Sequence, residues 1–393
     1  MSSRLIVNSI RHTGASGDAV SLANDGTCTA NITNNLSNRR LTINGAMTIA
    51  QRGVSSTSSG YGTVDRFSMN YHGTDEAPTQ SQADVAAGTT PYTNGFRKSF
   101  KITNGNQTSG AGGDDRVTMI HVLEAQDLAN SGWNYKSSSS NVILSFWCKS
   151  SVAQNFFGFL RSNDVSTRSF AFQTGSLTAD TWTKVTVPIA GNTNVSFDND
   201  NGAGLQIEWT MFRGVNTTGT GGTLNTWVSY NSSEREPDNT STWYTTNDAT
   251  FELTGVQLEV GDHATDFEHR RIGDELKSCE RYYQILAKGP GKYWGGTACN
   301  YTATQLYMPI QFKTQMRSTP SLVFTTGSSY YQIYDAGNTA GINITRPESL
   351  VYHNELGGSL YVGASYVSGL SAGYASLWYT YSSNALIAVE AEL

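Results

Sequence analysis

The sequence predicts an all-β protein built as an N-terminal segment, a jelly-roll β-sandwich, a short connecting helix and a C-terminal β-sandwich. Three observations carry this. Charged residues are only 15% of the chain, against roughly 25% in an ordinary soluble domain. Tyr 20, Phe 15 and Trp 8 fall in short runs with β-branched residues, a composition that fits a pleated, half-buried surface. Between the runs, 39 glycines and many Asn and Ser residues mark turns.

The bulk numbers bound the function. The 393 residues are enough for roughly two or three domains. A net charge of -6 weighs against non-specific binding to nucleic acid or to an anionic membrane, both of which need a basic surface. No run of about 18 apolar residues is present, so no membrane-inserting span is expected. Met1-Ser-Ser-Arg-Leu-Ile-Val7 lacks the long apolar core of a signal peptide. Cys28, Cys148, Cys279 and Cys299 show no Cys-x-x-Cys spacing, which predicts reduced thiols made in a cytoplasm.

Residues 1–38 hold one short strand, Leu5 to Ile10, and then the turn glycines Gly14, Gly17 and Gly26. The segment is too small and polar to carry a core. Its apolar residues Leu5, Ile6, Val7 and Ile10 are expected either to attach it to copies of itself or a docking protein, or to belong to a loose arm. Residues 39–262 hold strands at Phe96–Ile102, Val142–Cys148, Asn155–Leu160, Arg168–Phe172, Trp182–Val187, Leu205–Phe212 and Ala249–Val260. Seven or more strands with Gly, Asn and Ser turns read as a sandwich or jelly roll. In the last strand the alternation Phe251, Leu253, then Val256, Leu258, Val260 slips once, which predicts a β-bulge at Gly255.

Residues 263–288 form the connector. Thr265-Asp-Phe-Glu268 fits a capping box, and a helix start at Asp274 is an equal alternative. Ile272, Leu276, Cys279 and Tyr283 fall on one helical face, and Gly289, Pro290 and Gly291 end the helix. Residues 289–393 hold strands at Gln305–Phe312, Ser321–Phe324, Tyr330–Tyr334, Gly341–Thr345, Ser359–Tyr366, Ala375–Tyr381 and Ala385–Glu392. Pro320 makes Met316–Pro320 a turn.

Catalytic signatures are sparse. There is no Gly-x-Ser-x-Gly elbow, phosphate-binding loop or His-Glu-x-x-His. His263 and His269 lack a third ligand nearby. Asp198-Asn-Asp-Asn-Gly202 offers clustered oxygens but misses the EF-hand spacing, so a polar turn is the better reading. A structural calcium elsewhere in the jelly roll stays open and unlocated, and no other cofactor is expected. Asp114 and Asp115 supply at most half of a glycosidase pair. The aromatics Trp227, Tyr230, Trp243 and Tyr244 lie in polar segments, where they would either stack on sugar rings or cover a sandwich edge. Tyr330 and Tyr331 are adjacent, so one of them is expected to face outward.

Four sets of residues carry a family resemblance. They are Arg40 to Gly53 with Asp65-Arg-Phe67; Leu253-Thr-Gly-Val-Gln-Leu-Glu-Val-Gly261 with Phe267-Glu-His-Arg270 and Cys279-Glu-Arg-Tyr-Tyr283; Met316-Arg-Ser-Thr-Pro320; and Glu390-Ala-Glu-Leu393. Together they resemble structural proteins of tailed-bacteriophage virions, mostly tail fibres, with Glu390 in place of the usual Asp. The resemblance implies a non-enzymatic homotrimer that attaches to the phage tail or baseplate by its N-terminal attachment segment. It further implies a C-terminal end facing a host-surface glycan or protein. A capsid decoration or head fibre is the alternative, and a polysaccharide depolymerase a lesser one. The motifs bring no catalytic residues with them.

Overall fold

The computed structural model describes residues 6–30, 39–164, 166–219, 222–293, 297–336 and 341–393. Leu5 lies outside them. Strands β1 (Ser9–Ile10), β2 (Val20–Leu22) and β3 (Cys28–Ala30) form an antiparallel sheet of their own. Ile6, Ile10 and Leu22 are exposed on it, and Val7 is half-buried.

The jelly roll follows. Its strands are β4 (Ser55–Ser56), β5 (Phe67–His72), β6 (Thr79–Asp84), β7 (Lys98–Thr103), β8 (Arg116–Glu124), β9 (Asn141–Ser150), β10 (Asn155–Ser162), β11 (Arg168–Ser176), β12 (Thr183–Ala190), β13 (Ala203–Arg213), β14 (Trp227–Ser229) and β15 (Thr250–Val260). They make two six-stranded sheets, ordered β14-β11-β10-β13-β8-β5 and β12-β9-β15-β7-β6-β4. Every named pairing is antiparallel. Alternate residues of each strand turn inward. Phe67, Met119, Leu160, Phe172 and Trp209 from one sheet meet Phe100, Leu144, Phe146, Val187 and Leu253 from the other in a single core. The expected bulge is present: the β15–β9 register shifts between Thr254 and Gln257, and Gly255 has φ +62. Strands β5, β6 and β8 were not foreseen, although β8 carries a buried run from Val117 to Thr118 and Met119.

Three short helical turns, α1 (Thr90–Thr93), α2 (Ala125–Ala129) and α3 (Thr242–Thr245), decorate the sandwich, and α4 (Ile272–Glu280) forms the connector. The connector helix follows the alternative start near Asp274, beginning at Ile272, but it ends at Glu280, well before Gly289. The capping-box residues start no helix: the Thr265 amide and hydroxyl donate to the Glu259 carboxylate at 2.8 and 2.7 Å, and Glu268 accepts from the Arg40 amide at 2.9 Å. The expected apolar face holds only in part, with Cys279 buried and Leu276 half-buried. Ile272 is 69% exposed, and Tyr283 already belongs to a strand. The buried side of α4 is Glu275, Cys279 and Glu280. Glu275 is buried because Arg40 pairs with its carboxylate and the Asn44 amide donates to it. A compensated ion pair therefore takes the place of an apolar stripe.

The C-terminal sandwich comprises β16 (Tyr283–Lys288), β17 (Lys292–Tyr293), β18 (Ala298–Thr302), β19 (Gln305–Gln311), β20 (Ser321–Phe324), β21 (Tyr331–Asp335), β22 (Ile342–Ile344), β23 (Ser349–Val351), β24 (Gly357–Val362), β25 (Ala375–Thr380) and β26 (Leu386–Glu390). A small sheet, β16-β26-β20, faces a large one, β22-β21-β25-β18-β19-β24-β23, with β17 paired to β25. β16 lies inside the stretch expected to be connector, and it pairs with the last strand. Leu306, Met308, Ile333, Leu360 and Trp378 of the large sheet pack on Ile387 and Val389 of the small one.

The resemblance motifs converge on the joint between the sandwiches. Glu392 accepts from Arg66 and sits 3.1 Å from Arg52. These two guanidiniums lie over the rings of Tyr282 and Tyr283, at 3.4 and 3.8 Å from the centroids. Arg281 and the Tyr282 hydroxyl both donate to Glu124, at 2.6 and 2.5 Å. Arg317 donates to the carbonyls of Ala391, Glu392 and Asn201, each at 2.8 Å. The Asp198–Gly202 turn therefore docks on the C-terminal sandwich through Asn201. Among the described residues no cluster of three or more metal-ligating side chains is found.

Candidate functional site: a tyrosine stripe on the outer sheet

The large C-terminal sheet has one face on the core and one open to solvent. On β19, Leu306, Met308 and Ile310 point inward, so Tyr307 and Pro309 point out. Register then aligns neighbours across the strands. Cys299 on β18 faces Tyr307, Tyr307 faces Tyr361 on β24, and Tyr361 faces Ser349 on β23. Directly opposed residues share a face.

Four tyrosines meet there. Tyr307 and Tyr361 have ring centroids 5.0 Å apart. Tyr301, two residues beyond Cys299, meets Tyr307 edge-on at 5.9 Å. Tyr352, just after β23, lies near-parallel to Tyr307 at 6.4 Å. Tyr352 is 87% exposed and has φ +50, a left-handed backbone uncommon outside glycine. The Tyr361 hydroxyl accepts from Gln305 Nε2 at 3.3 Å. The same face continues across β25 and β21, where exposed Leu377 lies opposite Tyr334 and Tyr334 stacks on Tyr379 at 5.6 Å. A shallow hollow of about 310 Å³ adjoins Tyr334 and Leu377. From β21 to β24 the stripe crosses five strands, roughly 19 Å at ordinary strand spacing.

The electrostatics suit binding. Desolvation, with the phenols of Tyr352, Tyr361 and Tyr301 beside it, raises the Tyr307 phenol above its ordinary value. The Tyr307 ring therefore stays neutral, offering a flat apolar face and one hydrogen-bonding tip.

The aromatics singled out from sequence fare differently. Trp243 and Tyr244 are fully buried: the Trp243 indole donates to the Thr250 carbonyl at 3.1 Å, and Tyr244 stacks on Phe212 at 4.5 Å. Trp227 lies on edge strand β14, packs on Phe170 and donates to the Ala190 carbonyl at 2.8 Å. Tyr331 is buried and donates to the carbonyls of Thr325 and Leu386, both at 2.8 Å. These four are core residues, because polar sequence around them folds over their rings and their polar atoms find backbone partners. Tyr230 is half-buried beneath Arg161, and Tyr330 is half-buried beside Tyr331. Neither joins the stripe. Asp115, weighed as a catalytic carboxylate, accepts from the Gly112 amide at 2.6 Å and the Tyr244 hydroxyl at 3.1 Å, which makes it a turn fastener. Tyr301 and Tyr307 were missed, although the alternation of Leu306, Met308 and Ile310 was enough to place Tyr307 outside.

No protein-family model matches the chain, and no curated protein matches it. Solved structures resemble parts of it weakly. One is the N-terminal cellulose-binding domain of Cellulomonas fimi β-1,4-glucanase C, at 9% identity and TM-score 0.26, covering 55% of this chain and 99% of that one. Another is a family 11 carbohydrate-binding module of a Clostridium thermocellum cellulosomal cellulase, at 14% identity and TM-score 0.26, covering 55% and 98%. A third is a xylan-binding domain of Paenibacillus barcinonensis, at 11% identity and TM-score 0.23, covering 50% and 87%. The all-β sandwich architecture stands on the strand pairings of the chain itself.

Proposed function

We propose that this chain is a non-enzymatic virion protein of a tailed phage, a short tail fibre whose C-terminal sandwich adsorbs to a host-surface glycan. The tyrosine stripe carries this reading. Flat rings in a row match the C–H faces of successive sugar units, and the phenol tips reach their hydroxyls. The virion assignment is supported by the motif set at the joint, which resembles that of phage fibres. The N-terminal sheet supports attachment, since its exposed Ile6, Ile10 and Leu22 have no core of their own to cover them. A homotrimer would pair such edges and multiply weak sugar contacts through avidity.

The test is competition for host cells. Purified full-length chain should block phage adsorption, and Tyr307→Ala with Tyr352→Ala should abolish the block while circular dichroism stays unchanged. An undiminished block by the Tyr307→Ala, Tyr352→Ala chain would place the adhesive surface elsewhere. If the intact chain binds capsids and no host cell, the head-decoration reading replaces the tail-fibre reading.

A further inference from the structure

The motif at Leu253–Val260 does more than close the jelly roll. Past the bulge, Gly255 opens onto the outer face of the β12-β9-β15 sheet, away from the core. A Cβ at Gly255 would lie 2.7 Å from Phe96 Cζ and 3.1 Å from Trp147 Cδ1. At Gly95, with φ +93, a Cβ would lie 2.9 Å from His269 Nε2. Two left-handed glycines thus leave room for the same group of rings. Phe96, Phe267 and His269 pack mutually at 4.9 to 5.1 Å. His269 is fixed by a 2.9 Å contact to the Asn94 carbonyl.

Between these rings and Trp147 lies a cleft of about 520 Å³, within the range of small-molecule sites. Trp147 is half-buried on β9, and exposed Lys184 stands opposite it on β12. Asp266 lines the other side. Among the described residues neither Lys184 nor Asp266 makes an ion pair.

We infer that this cleft is a second binding site, for a neutral pyranose ring, with Trp147 as its stacking plate. An indole face takes the apolar C–H side of a sugar. Lys184 donates to a hydroxyl and Asp266 accepts from one, and hydrogen bonds to charged groups are the stronger kind. A ligand with net charge of either sign would meet one like charge across the cleft, so a neutral polyol fits best. The site lies between the jelly roll and the connector and stands apart from the tyrosine stripe.

The test uses the full chain with methyl glucoside, galactoside and mannoside as probes and glucuronate as the anionic comparison. It is read by saturation-transfer NMR and tryptophan fluorescence. At least one neutral glycoside should saturate, and more tightly than glucuronate. Lys184→Ala and Asp266→Ala, both surface changes, should each weaken it about tenfold, as should Trp147→Ala if that variant folds. Tyr307→Ala should leave it unchanged, which separates this site from the stripe. The inference is overturned if no neutral glycoside saturates, or if Lys184→Ala and Asp266→Ala bind like the parent.

Discussion

His121 shows how completely tertiary position sets the chemistry of one side chain. It sits buried on β8 with Nδ1 3.0 Å from the Arg66 carbonyl and its ring 4.6 Å from that of Phe67. Burial first, and the charge of Arg66 second, push its imidazole from the ordinary 6.5 down to about 3. The folded value lies below the unfolded one, so below pH 6.5 the unfolded chain takes up a proton that the folded chain refuses. The stability His121 contributes is therefore full above about pH 6.5 and is lost as pH falls toward about 3, by on the order of 5 kcal/mol at most. Urea midpoints should fall between about pH 7 and pH 4, and His121→Gln should flatten that slope. An unchanged slope in the variant would show that other groups set the acid sensitivity. At the same scale, the aromatic residues divide by context. Trp243 and Tyr331 look as available in the sequence as Tyr352, yet only Tyr352 keeps its ring open.

At the scale of elements, strands with clean alternation were the most legible. β9, β12, β13 and β15 all fall where apolar residues recur. The bulge in β15 was readable because one slip in alternation has one economical cause. Its glycine is also the most testable residue of the element. Gly255→Ala imposes a left-handed backbone on a side chain and drives Cβ toward Phe96 and Trp147. The expected loss is about 2 kcal/mol, seen as a lower denaturant midpoint with an unchanged slope. A midpoint equal to that of the parent would mean that the bulge relaxes freely. Helix α4 was only half legible. Its existence followed from pattern, but its buried face did not, because Glu275 is buried by an Arg40 that lies far away in sequence.

At the scale of the molecule, the joint makes two sandwiches into one unit. Glu392 is 6% exposed and Arg66 is 1% exposed at their side chains. Removing one partner of a buried pair leaves an uncompensated charge, which costs about 3–5 kcal/mol. Glu392→Gln should therefore split a single calorimetric transition into two, because Arg52 and Arg66 lose the carboxylate that ties β26 to the jelly roll. Asp84→Asn, which breaks the surface pair with Lys98, should leave the thermogram unchanged. A single unshifted transition in Glu392→Gln would show that the remaining contacts of the joint hold it without this carboxylate.

Local pattern along the chain carries the class of the fold, most of its strands, the bulge at Gly255 and the short motifs that meet at the joint. Each is written in local periodicity or in short fixed patterns. The contacts those motifs make and the place of the candidate sites emerge only once distant strands have paired. Arg52, Arg66, Tyr282, Arg317 and Glu392 become one joint by contacts spanning up to 340 residues. Tyr301, Tyr307, Tyr352 and Tyr361 become one surface by strand register. Register and burial come from long-range pairing, and no local pattern along the chain encodes which distant strand a residue will face.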